Sequence, residues 1–208
     1  MLMRASAFAL LAAMTACTTS ESIRVRERGE FFFSGRIRKT ATLSESERHH
    51  VAIGGELGAY GTTGNYASPS GNRDYRATVG YAAFVADVGV GDFTILPKLG
   101  LGAVDFAVAG QSNTVGDDGL GVMLGVEGRY LITPMLDVFA RATAFRRSSL
   151  YSTMLEAGVG FRPAPYVAIE LGYGNAGVVV DDSFDIFNSS DSADVEVQGL
   201  LISLTLQF

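Results

Sequence analysis

The feature that most constrains the fold is an alternation of apolar with small or polar residues. It recurs in eight consecutive segments between His49 and Phe208. In one segment, Leu120, Val122 and Leu124 alternate with Gly121 and Met123. Because successive side chains of a strand point to opposite faces, a period of two predicts β-strands. Past the N-terminus, no stretch approaches the roughly 18–20 apolar residues that a membrane-spanning helix needs. The sequence therefore predicts an all-β fold.

The segments between the predicted strands differ in length in a regular way. Short connections are predicted at 89–92, 133–135 and 162–165, and longer polar ones at 62–72, 109–118 and 181–194. An even number of strands with short turns at one end and long loops at the other is typical of outer-membrane barrels. We therefore expect an eight-stranded antiparallel transmembrane β-barrel over residues 49–208.

The second face of each strand indicates which side of the barrel is apolar. It consists mainly of glycine and alanine with isolated charges, as in Gly125, Glu127 and Arg129, in a chain with 25 glycines and only 18% charged residues. A water-facing surface would be denser in Lys, Glu and Thr, whereas small residues suit the narrow lumen of eight strands. The pattern favours apolar side chains outside, including the run from Tyr75 to Val85. A soluble lipocalin-like barrel, apolar inside, is the alternative.

Charged residues on the predicted inner face are balanced, with four carboxylates and four cations. Buried ions are costly unless they are paired, so balance is what a closed lumen requires. A hairpin centred on Pro134 places Glu127 opposite Arg141, and the next turn places Glu156 nearly opposite Glu170. The predicted lumen ion-pair network comprises Glu56, Arg76, Lys98, Glu127, Arg129, Arg141, Glu156 and Glu170.

The N-terminus has the pattern of an export signal. Arg4 precedes an apolar stretch over 5–13, as in secretory signals. The residues Met14-Thr15-Ala16-Cys17 resemble a bacterial lipoprotein signal, which implies removal of 1–16 and lipidation of Cys17, although ordinary signal cleavage is the alternative. The arginine-bearing residues 17–48 are predicted to form a periplasmic linker, in which residues 31–38 form either a short strand or a segment lying at the membrane interface.

The closing segment carries the second resemblance. Leu204, Leu206 and the terminal Phe208 look like the C-terminal strand that the barrel-assembly machinery recognises. Together with the pattern over 49–208, this resembles the OmpA/OmpX-type and opacity-protein barrels. The resemblance implies a bacterial outer-membrane location, with outer-membrane lipids, lipopolysaccharide and the assembly machinery as partners. Tyr and Phe would form the interfacial girdles, since Trp is absent.

Little in the sequence points to catalysis. The net charge of −6 argues against a nucleic-acid-binding protein. The only histidines, His49 and His50, are adjacent and would face opposite sides of a strand. We expect no cofactor and no metal. The predicted function is non-enzymatic, structural or surface-interacting, with a possible protein partner at loops 62–72 and 181–194. A narrow pore and an outer-membrane lipid-modifying enzyme are the alternatives.

Overall fold

The computed structural model describes residues 22–46, 48–68, 71–109, 114–148, 150–181 and 192–208, which form a closed barrel of nine strands. The all-β prediction is confirmed. Within these ranges, no helix is long and apolar enough to cross a membrane. The strands are β1 Ser22–Glu45, β2 His49–Ser68, β3 Gly71–Val90, β4 Phe93–Ala109, β5 Thr114–Thr133, β6 Leu136–Arg146, β7 Leu150–Ala164, β8 Val167–Asp181 and β9 Ser192–Gln207.

The expected eight strands are wrong, because a ninth strand, β1, forms within the predicted linker 17–48. Its arginines concealed the alternation. Phe33 and Ile37 lie on the outer face, while Arg36 and Arg38 point inward, where they meet carboxylates. The purely antiparallel arrangement is also wrong. In a ring of alternating strands an odd number leaves the first and last running the same way, and β1 pairs with β9 in parallel.

The two ends of the barrel are distinct. Tight turns at 91–92, 134–135 and 165–166 lie at one end, which we call the short-turn end; the opposite end is the long-loop end. Since β1 runs parallel to β9, the described chain enters at the long-loop end and leaves at the short-turn end. Most of the predicted loop 62–72 is strand, because β2 reaches Ser68 and β3 begins at Gly71. Residues 1–21, with Cys17, and most of loop 181–194 lie outside the described residues.

The parallel seam between β1 and β9 contains an irregularity that only glycine accommodates. The register shifts between Arg28 and Glu30, and Gly29 there has a φ of 86°. Opposite this bulge, a Cβ added to Gly199 would lie 1.7 Å from the backbone oxygen of Glu30. Side chains of any size are therefore excluded at Gly199, where the backbones of β1 and β9 approach each other closely in the seam.

We expect Gly199→Ala to lower the free energy of unfolding by about 1–3 kcal/mol, the usual cost of overpacking. The matched control is Gly80→Ala on β3, where an added Cβ meets nothing within 4 Å. Urea unfolding of the two variants measures the difference. Equal stabilities would show that the seam is not packed as described.

The interior is divided along the barrel axis. Its short-turn half contains charged side chains, described below. Its long-loop half is an apolar core to which all nine strands contribute (Val25, Phe32, Tyr66, Tyr75, Val79, Val104, Phe106, Val108, Met123, Phe145, Leu150, Met154, Val178, Val180, Val195, Val197 and Leu201). The predicted arrangement, with small and charged residues throughout the lumen, therefore holds for only half of the barrel.

The outer surface is divided in the opposite sense. Around the short-turn half runs an exposed apolar belt, to which every strand contributes, for example Ile37, Leu57, Phe84, Leu99, Leu124, Val138, Leu155, Leu171 and Ile202. Above it, the outer face of the long-loop half is polar, with Arg24, Asn65, Arg76 and Asp105 exposed. In the short-turn half the charged side chains are inside and the apolar ones outside, whereas in the long-loop half this arrangement is reversed.

This division corrects the face predicted for β3. The run from Tyr75 to Val85 was expected on the outer surface, yet Tyr75, Val79 and Val85 are buried in the interior and Phe84 is exposed. Register explains the difference. Ala83 pairs with the inward Glu56, and Phe84 pairs with the outward Leu99, so the apolar alternation of β3 belongs to the inner face.

Candidate functional site

The most distinctive group of side chains is a buried ionic layer in the short-turn half of the lumen. Five carboxylates and five cations form it, and all are nearly inaccessible to solvent. We call this set the ionic layer: Arg36, Arg38, Glu56, Lys98, Glu127, Arg129, Asp137, Arg141, Glu156 and Glu170. Equal numbers of opposite charges keep each desolvated ion close to a partner, which is the condition for burying them.

Glu127 on β5 is the centre of the layer and is fully buried. Its carboxylate accepts hydrogen bonds from Lys98 Nζ at 3.0 Å, Arg141 Nε at 3.0 Å and Arg38 Nη2 at 3.1 Å. Arg129 donates to its other oxygen, and an Arg36 nitrogen lies 3.9 Å away. One carboxylate therefore contacts all five cations of the layer.

Many of these contacts join strands that are not neighbours in the sheet. Arg38 on β1 reaches Glu127 on β5. Arg36 on the same strand donates to Glu170 on β8 at 2.6 Å and lies 4.0 Å from Glu156 on β7. Since these bonds run across the barrel, the side chains that make them occupy the lumen and tie its opposite walls together.

Neighbouring strands position Arg141 between two carboxylates. It pairs in register with Glu127 on one side, as predicted, and with Glu156 on the other. Its guanidinium lies 4.2 Å from the ring centroid of Phe139, and that of Arg129 lies 5.6 Å from the same ring. Both distances are within cation–π range, so the ring of Phe139 makes a favourable contact with both guanidinium groups.

The structure brings together seven of the eight predicted network residues. Arg76 is the exception: it lies on the outer surface, where its side chain is 60% exposed and pairs with Asp105 at 3.1 Å. It was placed inside only because the apolar face of β3 was expected outside. Glu156 and Glu170 are not opposite each other either. The turn of this hairpin lies at 165–166, and the resulting register pairs them with Gly174 and Gly160.

The sequence prediction missed Arg36, Arg38 and Asp137. The signal for the two arginines was present, since they alternate with Gly35 and Ile37, but their charge made the segment look like a linker. Asp137 alternates with Leu136 and Val138 on a predicted strand. It accepts hydrogen bonds from Arg129 Nη1 at 3.0 Å and from Arg162 Nε at 2.8 Å.

The remaining predicted positions lie at the barrel wall or rim. Leu204 and Phe208 are exposed and Leu206 is half-buried on the outer face of the short-turn end. His50 Nε2 lies 2.8 Å from Asp87 Oδ1 at the same end, and neighbouring His49 is exposed. In the described part of the chain, no group of three or more His, Cys, Asp or Glu residues is arranged to hold a metal ion.

A smaller charged group lies outside, at the long-loop end of the β1–β9 seam. Arg26 donates two hydrogen bonds to Asp194, at 3.1 and 2.8 Å, and its Nε lies 3.1 Å from Glu196. The hydrogen bonds from Arg26 lower the pKa of Asp194 below its ordinary value. Because the folded-state pKa is the lower one, the stabilisation is present at neutral pH and is lost as the pH falls through it.

We predict that Arg26→Gln raises the pKa of Asp194 toward the ordinary aspartate range, as measured by NMR titration of the carboxyl carbon. Arg28→Gln, which removes the next arginine along the same strand, is the control and should leave that pKa unchanged. Since Asp194 is partly exposed, both variants should change stability by less than about 1 kcal/mol. An unchanged Asp194 pKa in Arg26→Gln would contradict the pairing.

Comparison with known proteins identifies no relative of this chain. No protein-family model matches the chain, and no curated protein or solved structure is significantly similar to it.

Proposed function

We propose that this protein is a non-enzymatic β-barrel of the bacterial outer membrane, closed to solutes, whose long-loop half projects from the membrane and presents a polar surface to partners. The observation that carries the proposal is the change of polarity along the outer surface. An exposed apolar belt encircles one half and charged side chains cover the other. Apolar side chains outside with charged ones inside is the arrangement of membrane barrels.

The dimensions of the belt support this proposal. On β9 the outward apolar residues extend from Leu200 to Phe208, which matches the 9–11 residues of a membrane-crossing strand. Phe93, Tyr130, Phe161 and Tyr166 are exposed near the short-turn end, and Tyr151 and Tyr173 toward the other. Aromatic rings at both borders are typical of membrane interfaces. Tyr75, which the alternation of β3 predicted on the outer face, is instead buried in the apolar core and contributes to neither border.

The length of the strands supports a projecting half. β2 has 20 residues, which span roughly 66 Å along the strand at about 3.3 Å per residue. At the usual tilt, this corresponds to a height of roughly 50 Å, against a hydrocarbon core of about 30 Å. The long-loop half, with its apolar core and polar exterior, then has the composition of a soluble barrel in water.

The ionic layer and the apolar core favour a closed barrel over the narrow-pore alternative. Arg38, Arg36 and Glu127 meet across the lumen, and Phe106, Met123 and Phe145 fill it further along the axis. A solute would have to displace paired ions and then cross an apolar core. The function we propose therefore depends on surfaces rather than on transport.

The proposal is tested by expressing the full chain in a Gram-negative host and separating the membranes. We expect it in the outer-membrane fraction, with a gel mobility that changes on heating, and with no conductance in planar bilayers. Recovery in the soluble fraction would overturn the membrane assignment, and stepwise conductance would replace the closed barrel by the pore. If the short turns face the periplasm, then Ser22, where β1 begins, lies at the cell surface.

A further inference from the structure

We propose that the short-turn end of the barrel contains a binding site for a single halide ion, which is chloride in the cell. The site is a small cavity lined by Arg38, Arg129, Arg162, Tyr166, Thr205 and Gln207, together with apolar neighbours. This inference goes beyond the proposed function and does not depend on it, because the cavity belongs to the barrel interior in either a membrane or water.

The charge of the lining favours an anion. Three guanidinium groups line the cavity, and among the described residues no carboxylate does. Two of the three have unused donors. Arg38 donates through Nε and Nη2, and Arg162 through Nε alone, to partners that the structure describes. The Nη1 of Arg38 and both terminal nitrogens of Arg162 are therefore available to a ligand. Each of the three nitrogens of Arg129 already donates a hydrogen bond, to Glu127, Asp137 and Glu170 respectively.

A buried hydroxyl independently indicates a ligand. Thr205 lines the cavity and is only 3% exposed, yet its Oγ1 has no hydrogen-bond partner among the described residues. Arg36, which pairs with Thr205 in the β1–β9 register, likewise has a buried Nε without a described partner. Buried polar groups are rarely left unpaired. A hydroxyl that donates to an anion beside two guanidinium groups would remove this cost.

The size of the cavity restricts the ligand to one small ion. The cavity volume is about 10 Å³, which is close to the space that one water molecule needs. A halide is of comparable size, whereas phosphate or sulfate would have to displace the lining. The ionic layer and Arg162 together contain six cations and five carboxylates, and water, although it fits the volume, would not offset the extra positive charge.

The first test measures unfolding by urea, with the full chain folded in detergent micelles. Chloride replaces gluconate at constant ionic strength. A ligand that binds only the folded state stabilises it by an amount that grows with the logarithm of its concentration above its Kd, so the urea midpoint should be constant at low chloride and rise steadily beyond that point. No dependence on chloride in the wild-type protein would overturn the proposal.

Two matched variants locate the effect. Thr205→Val removes the hydroxyl at nearly constant shape and should weaken the apparent affinity for chloride about tenfold, as expected for a lost hydrogen bond to a charged group. Thr62→Val removes another buried hydroxyl without a described partner, outside the cavity lining, and should leave the affinity unchanged. Equal chloride responses in the two variants would overturn the site.

A structural experiment distinguishes the ion from water. Crystals grown in sodium bromide should give an anomalous peak between Arg38, Arg162 and Thr205. A water-sized peak without anomalous signal would contradict the proposal. Should Thr205→Val fail to fold, Arg162→Gln takes its place, because Arg162 is partly exposed at the rim. Unchanged chloride affinity in Arg162→Gln would count equally against the site.

Discussion

Replacing Glu127 by glutamine should lower the free energy of unfolding by about 3–5 kcal/mol, because removing one member of a buried ionic network leaves its partners uncompensated. Glu127 is fully buried and contacts five cations. Glutamine keeps the shape of the side chain, so the effect reports charge rather than packing. Urea unfolding of the folded barrel, followed by the heat-dependent gel mobility or by fluorescence, measures it.

The matched control is Glu196→Gln, which makes the same exchange on the outer surface. Glu196 pairs with Arg26 at 3.1 Å, but 38% of its side chain is exposed, and such pairs contribute at most about 1 kcal/mol. Similar losses in the two variants would mean that the lumen is hydrated. The ionic layer would then not hold the barrel walls together.

Replacing Leu99 by arginine should cost about 2–4 kcal/mol when the protein is folded in lipid vesicles, the range for a cation on the lipid face of a barrel near the bilayer midplane. Leu99 is 57% exposed on the belt and pairs with the outward Leu124. On a soluble barrel, an exposed Leu→Arg exchange would be within about 0.5 kcal/mol of neutral. The experiment therefore separates the two environments by a wide margin.

Asn65→Arg is the control for this exchange. Asn65 is exposed on the outer face of β2, in the half that we propose to project into water. Its replacement should change stability by no more than about 0.5 kcal/mol. If Leu99→Arg were as harmless as Asn65→Arg, the belt would not face lipid.

The short-turn half of the barrel could be predicted from the sequence because one physical rule governs it. There the outer face is apolar and the inner face carries paired charges, so alternation reveals both the strands and their orientation. The pairing of Glu127 with Arg141 was expected from a hairpin centred on Pro134. The turn lies at 134–135, and a register shift between Leu131 and Thr133 gives the expected pairing. Lys98, Arg129 and Glu170 were placed inside by the same rule.

The long-loop half follows the opposite rule, and the predictions failed there for that reason. Tyr75 and Val79 alternate as clearly as belt residues do, but they face an apolar core, and Arg76 consequently lies outside. Alternation distinguishes the two faces of a strand but does not show which of them is exposed to the surroundings of the barrel. The missing information was the register of β3 against Glu56.

Strand β1 was missed for a related reason. Arg36 and Arg38 are costly on any strand taken alone. Arg38 pairs with Glu56 across the β1–β2 hairpin, but Glu170, the partner of Arg36, is far away in sequence, and only the closed barrel brings the two together. Charge compensation at long range cannot be derived from a local pattern, so the segment looked like a linker.

The most direct test of the central claim compares two positions on one face of one strand. With Cys17 replaced by serine, a nitroxide label is attached to a cysteine introduced at Leu57 or at Asn65, eight residues further along β2. In vesicles, collision with oxygen should dominate at Leu57 and collision with a water-soluble nickel chelate at Asn65. High and equal accessibility to the nickel chelate at both positions would contradict the account, because the belt would then lie in water.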